Sequence, residues 1–278
     1  MRQQMPDRAA VGPCRVLVLG AHPDDAEIFA GGLIVRHCRR GSDVKIVSVT
    51  DGRSGHHEIP PAELVAVRRR EAKASGRRVG ADYVTWDFHD GALEPTLAVR
   101  EAIIREIRTY KPNLVLTHRP CDYHPDHRAV GTAVQDASYL VTVPHICPDV
   151  PALRQDPVVA SMTDLFTRPN RLRADVVLDV TAEADLILQM AAEHQSQFFE
   201  WLPYHEGRLA EVPQHPRERL EWLARWFASI YAGRREHFRD DCVARGVDAD
   251  AAKLEVYELS EYASQPSTET VGWLFPSE

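Results

Sequence analysis

Two clusters of imidazole and carboxylate stand out in the 278-residue sequence. His22, Asp24 and Asp25 fall within Gly20-Ala21-His22-Pro23-Asp24-Asp25-Ala26-Glu27. His124 and His127 fall within Asp122-Tyr123-His124-Pro125-Asp126-His127, about a hundred residues later. Imidazole nitrogens and carboxylate oxygens are ligands for divalent transition metals. Two imidazoles and one carboxylate, with water in the fourth position, make a catalytic rather than a structural zinc site. A metal there would lower the pKa of its water toward neutrality and polarise a substrate carbonyl. A plainer role competes for part of the first cluster. Asp24-x-x-Glu27 is also a capping box at the start of a helix. Capping accounts for Asp24 and Glu27 but leaves His22 and the adjacent Asp25 unexplained.

Both clusters directly follow apolar runs that read as buried strands, residues 15–19 and 114–117. Further strands are predicted at 44–50 and 83–86, and helices at 26–39, 61–79, 96–110 and 126–141. Strands alternating with helices imply an α/β fold, a Rossmann-like and mainly parallel sheet flanked by helices. Ligands of such sheets bind beyond the carboxyl ends of the strands. The two clusters are therefore expected on the same sheet edge. After residue 143 the pattern changes. Pro144, Pro148, Pro151 and Pro157 break up a loop-rich stretch, followed by a late strand at 174–180 and helices at 182–200 and 216–238. The expected organisation is a flexible N-terminus, residues 1–13, and one domain over 14–278, its core 14–143 and a loop-rich and helical elaboration 144–278. The apolar group Gly272-Trp273-Leu274-Phe275 in a polar tail must pack on its own domain or on a neighbouring subunit.

The net charge of −8 and a pI of about 5.9 argue against a nucleic-acid partner. The basic run containing Arg68, Arg69 and Arg70 reads as a solvated helix face. Five scattered cysteines, with no C-x-x-C pair, point to neither a disulfide framework nor a cysteine-zinc knot. No signal peptide and no membrane span of about 18 apolar residues is expected. A cytoplasmic setting follows.

The A-H-P-D-D-x-E segment and the later H-P-D-H together resemble the LmbE/PIG-L family of zinc-dependent deacetylases, over roughly the first 130 residues. The resemblance extends weakly to Glu193-His194-Gln195-Ser196-Gln197. It implies zinc, or another divalent transition metal, held by His22, Asp25 and His127. It implies Asp24 as general base and His124 as the group that stabilises the oxyanion or protonates the leaving amine. Glu27 is left with capping. Arg68 is similar to a family arginine that contacts substrate hydroxyls, and Asp90 to a loop lining the same pocket. His194 is expected at the substrate pocket. The Ser54-Gly55-His56-His57-Glu58 loop is expected to shape that pocket. The reaction implied is removal of an N-acyl, usually N-acetyl, group from an amino sugar or glycoconjugate such as an N-acetylglucosamine derivative. An amidase acting on a bulkier thiol or antibiotic-precursor conjugate shares the same motifs. A non-catalytic sugar- or nucleotide-binding module is disfavoured, because the first turn lacks G-x-G-x-x-G. The resemblance and the apolar tail both suggest a homo-oligomer.

Overall fold

Four successive strand–helix units follow the predicted periods: β1 (Arg15–Gly20), α1 (Asp25–Arg39), β2 (Asp43–Thr50), α2 (Pro61–Val79), β3 (Asp82–Phe88), α3 (Leu97–Tyr110), β4 (Leu114–Thr117) and α4 (Pro125–Leu140). The computed structural model describes residues 12–277, so residues 1–11 of the expected flexible N-terminus lie outside the described residues. β1 is buried from Val16 to Gly20 because both of its faces are covered by helices. On one face Leu33 and Ile34 of α1 pack with Ala72 of α2. On the other, Ile103 and Ile107 of α3 pack with Val130 and Val134 of α4.

The sheet has seven strands in the order β3-β2-β1-β4-β5-β7-β6. β5 (Val158–Ser161) runs parallel to β4, whereas β7 (Leu254–Leu259) is antiparallel to both β5 and β6 (Val176–Asp179). The fold is thus Rossmann-like and mainly parallel. Sheet growth reverses direction between β1 and β4, which pair in parallel with Leu19 opposite Thr117. Loops leaving these two strands open a crevice, the usual ligand position in such sheets.

Three expectations need correction. The loop-rich stretch after residue 143 contains β5, which begins directly after Pro157. β7 went unseen, although Leu254-Glu255-Val256 alternates as a strand does. The helix expected at 182–200 is broken into a 3-10 turn (Thr181–Glu183), α5 (Ala184–Ala191), a π turn (Gln197–Trp201) and α6 (Leu202–His205). The break has a physical cause. His194 Nε2 lies 2.9 Å from Glu27 Oε1, and Ser196 N–H donates to Glu71 Oε1 at 2.8 Å, so buried carboxylates pull this segment inward.

The elaboration continues through α7 (Pro216–His237), α8 (Arg239–Arg245) and α9 (Thr268–Leu274). Leu274 and Phe275 are buried in the core of their own chain, with the Phe275 ring 5.2 Å from that of Tyr257. The apolar tail is therefore covered without a second subunit.

Arg108 of α3 shows how the edge beyond α4 is held. It is fully buried and donates to six carbonyls, those of Leu140, Val141, Val143, Ile146, Cys147 and Val150. Only the guanidinium fork offers enough donors in fixed directions. Arg108→Met should cost about 3–5 kcal/mol, because several buried carbonyls lose a charged donor together. Chemical denaturation would show this as a lower midpoint with an unchanged slope. An unchanged midpoint would mean that the carbonyls find other partners.

Candidate metal centre

Gly20 closes β1 and lets the next turn fold back, since a Cβ there would lie 3.0 Å from the Asp25 Cβ. Asp24 adopts φ 128°, a conformation rare for any residue bearing a side chain. The His22 N–H donates to Asp25 Oδ2 at 2.7 Å, which fixes the turn. Beyond β4, α4 presses on the strand end. A Cβ on Gly131 would come within 2.5 Å of the His118 carbonyl oxygen, so only glycine permits the approach. His127, in the first turn of α4, is thereby set against Asp25.

The three side chains converge, with the two imidazoles facing different oxygens of Asp25. His127 Nε2 lies 3.3 Å from His22 Nδ1 and 3.4 Å from Asp25 Oδ1, and His22 Nδ1 lies 3.6 Å from Asp25 Oδ2. Zinc bonds of about 2.0–2.2 Å in tetrahedral geometry require ligand separations of roughly 3.3–3.6 Å. The opposite nitrogen of each imidazole is backed by carboxylates. His22 Nε2 lies 3.1 Å from Asp126 Oδ2 and 3.2 Å from Asp90 Oδ1, and His127 Nδ1 lies 3.2 Å from Asp122 Oδ1. Such outer carboxylates fix the tautomer and raise ligand basicity.

Among the described residues, the groupings close enough to share an ion are Asp25–His118–His127, His22–His124–His127 and His22–Asp90–Asp126, and His22, Asp25 and His127 are spread over them. His118 and Asp126 are buried and do not line the cavity, whereas His22, His124 and His127 all line it and keep an open position. His22, Asp25 and His127 all line it. The donor set and its spacing therefore suit a divalent metal such as zinc.

Electrostatics agree. Burial opposes ionisation of Asp25, but the charges of His127 and His118 outweigh it and hold the carboxyl well below its usual range. Burial likewise opposes protonation of His127, and Asp25 and Asp122 overcome it, raising the imidazole to about 9. A site that stabilises protons on imidazoles in this way also stabilises a cation replacing them.

Asp24 is different. Burial raises its carboxyl to about 6, with Arg68 opposing and Asp25 reinforcing the shift. It faces the cavity, and its Oδ2 is 3.7 Å from Arg68 Nη2. A carboxylate with a pKa near working pH suits proton transfer.

His124 lines the cavity and caps α4, its Nδ1 accepting the Asp126 N–H at 3.2 Å. That bond leaves Nε2 to carry the proton of the neutral ring, as a donor. Asp90 lines the cavity and anchors the β2–α2 loop by accepting the Ser54 N–H at 3.0 Å. Ser54 and Gly55 line the cavity too, while His56 bonds Glu200 at 2.8 Å and His57 stacks on Tyr204. Among the described residues neither histidine joins a metal grouping.

Several readings of single residues change. Arg68 is not on a solvated face. It is buried, bonds the Pro23 carbonyl and Gln197 Oε1, and lines the cavity. Glu27 makes no cap. It is fully buried between Ser75 and His194, because α1 turns that residue toward α2 and the segment after α5. His194, expected against substrate, is fully buried on Glu27 and is not part of the cavity lining, whereas Gln197 is. His118 and Asp126 were missed. His118 stacks on His127 at 3.9 Å and lies 3.0 Å from Asp25 Oδ2. Its Nε2 is also 3.2 Å from the Ala21 N–H. One nitrogen cannot serve both with one proton state, and the shorter, charge-assisted contact to Asp25 is the stronger. Asp126 accepts the Gly91 and Leu93 N–H groups, tying the Asp90 loop to His22.

Residues 17–138 match the family model described as PIG-L, GlcNAc-PI de-N-acetylase. Diacetylchitobiose deacetylase of Thermococcus kodakarensis is 30% identical over 203 residues, 68% of this chain and 74% of that protein. A 1D-myo-inositol 2-acetamido-2-deoxy-alpha-D-glucopyranoside deacetylase of Saccharopolyspora erythraea is 39% identical over 228 residues, 75% of this chain and 70% of that protein. The 4-oxalmesaconate hydratase of Pseudomonas putida is 28% identical over 182 residues, 61% of this chain and 68% of that protein.

Proposed function

Because the chain belongs to the LmbE/PIG-L family of deacetylases, its chemistry is metal-assisted amide hydrolysis, and we propose that the amide is the acetamido group of an N-acetylglucosamine-type sugar or glycoconjugate. The observation that carries the reading is one cavity lined by His22, Asp25 and His127, whose donor groups approach pairwise within 3.3–3.6 Å, and by Asp24. We assign His22, Asp25 and His127 to the metal. When bound, the ion polarises the amide carbonyl and makes water nucleophilic near neutral pH. Asp24 takes the proton released as water attacks and returns one to the leaving amine. His124, neutral with its proton on Nε2, donates to the carbonyl oxygen as negative charge builds there. Arg68 lines the cavity beside Asp24 and is assigned to a sugar hydroxyl. Asp90 offers an acceptor in the same cavity.

None of the helices among the described residues is long and apolar enough to cross a membrane. All five cysteines are free thiols, which supports a reducing, cytoplasmic setting.

The hydratase relative favours one second reading, addition of water to a carbon–carbon double bond by the same centre. Purified protein incubated with N-acetylglucosamine and its glycosides separates the two. The expected result is acetate and primary amine released in equal amounts, lost with a chelator and restored by zinc. No amine from any acetamido sugar, with hydration of an unsaturated dicarboxylate instead, would overturn the deacetylase reading.

A further inference from the structure

Asp24 stands at φ 128° and ψ −20°, a backbone conformation that a side chain opposes and that persists only where neighbours over-determine it. The peptide groups on both sides of its Cα are pinned. On the C-terminal side, the Asp24 carbonyl accepts the Ile28 N–H at 3.2 Å and the Asp25 N–H donates to the His22 carbonyl at 3.3 Å, so that peptide belongs to the start of α1. On the N-terminal side, the Pro23–Asp24 peptide is held at both of its polar atoms by side chains from other elements. Arg68 of α2 donates to the Pro23 carbonyl, and the Asp24 N–H donates to Tyr83 Oη of β3 at 3.2 Å. Peptide groups are planar, so fixing both planes fixes the direction in which the Asp24 side chain leaves the backbone.

The two side chains that hold this peptide differ in what else they can do. Arg68 lines the cavity and also bonds Gln197. Tyr83 is buried and does not line the cavity, so it has no access to a substrate. Its place is set by the sheet and the core. It stands opposite Ile46 of β2, in the apolar cluster that contains Ile46 and Ala72, and its ring meets that of His194 edge-on at 6.1 Å. A phenylalanine would fill the same space. The oxygen is therefore not needed for packing, and a buried tyrosine hydroxyl needs a polar partner. The partner it has is the amide of Asp24, 59 residues earlier in the chain.

We propose that Tyr83 is a positioning residue for the base. By accepting the Asp24 N–H, its hydroxyl keeps the disfavoured backbone in place and the Asp24 carboxyl turned toward the cavity, with Arg68 holding the other end of the same peptide. The consequence for turnover rests on the deacetylase reading, whereas the clamp itself does not.

Tyr83→Phe removes one oxygen and keeps the ring. Hydrogen exchange followed residue by residue by NMR tests the clamp directly. The Asp24 amide should exchange about fivefold faster, as the loss of one ordinary hydrogen bond gives, while the amides of Leu17 and Val18 in β1 keep their wild-type rates. On zinc-loaded protein with N-acetylglucosamine glycosides, kcat should fall about 10- to 100-fold with KM within twofold, the effect of a misplaced reacting group. In an Asp24→Asn background the same substitution should change kcat less than twofold, because the group being positioned is gone. Equal losses of kcat in both backgrounds, a raised KM with kcat kept, or an Asp24 amide that exchanges no faster would overturn the proposal. If the wild-type protein cleaves no acetamido amide, the deacetylase reading falls, and the exchange of the Asp24 amide still decides whether Tyr83 holds it.

Discussion

An Asp24→Asn variant should keep one metal per chain and lose about a thousandfold in kcat. The two halves of this result depend on different neighbours. The proposed ligands are His22, Asp25 and His127, whose donor groups approach pairwise within 3.3–3.6 Å, so metal content should not depend on Asp24. Proton transfer should, because burial lifts the Asp24 carboxyl to about 6 where it lines the cavity next to Asp25. Asparagine has nearly the same shape and tolerates positive φ better than most residues, so the turn at φ 128° should survive. It cannot accept the proton. Steady-state kinetics on acetamido sugar, with metal measured on the same sample, decides the matter. Unchanged kcat would remove Asp24 as the base. Loss of metal together with activity would make it a ligand.

Much of this was legible before the fold was known, and the reason is local. Residues 15–19 and 114–117 read as buried strands, and the two histidine clusters follow them directly. Parallel pairing of β1 with β4 then brings the clusters together. The misread residues are those whose surroundings come from far along the chain. Arg68 stands in a basic run that looks solvated. It is buried by Pro23 and by Gln197, 129 residues away. Glu27 fits a capping box three residues after Asp24, yet its partners are Ser75 and His194. His118 stands directly after a strand, but nothing nearby in sequence announces its contact with Asp25, 93 residues earlier. Asp126 carried a usable signal, since it lies between two histidines of the second motif. Its role emerged only when the Asp90 loop was seen to hang from it. β5 was hidden by the prolines around it, although Val158-Val159-Ala160 is a short apolar run of the kind a buried parallel strand shows.

His127→Ala should abolish both metal binding and turnover, with activity falling by at least about 10⁴-fold, because removing the metal takes several kcal/mol of transition-state stabilisation with it. His127 has partners on several sides. Its Nε2 is 3.3 Å from His22 and 3.4 Å from Asp25, its Nδ1 faces Asp122, and its ring stacks on His118 at 3.9 Å. Alanine leaves Asp25 and Asp122 facing each other's charge with less to offset it, and opens a gap over His118. Two effects are therefore mixed in any activity loss, and zinc-dependent stability separates them. Zinc at a hundred times its dissociation constant should stabilise the wild-type protein by about 2.7 kcal/mol. In a chain of this length that is a rise in melting temperature of several degrees. The variant should melt at a temperature that added zinc does not change, whatever its starting stability. If instead it retains one zinc per chain and the same upward shift, His127 is not a ligand. The ion would then belong to His22, Asp90 and Asp126, the neighbouring grouping that lacks His127.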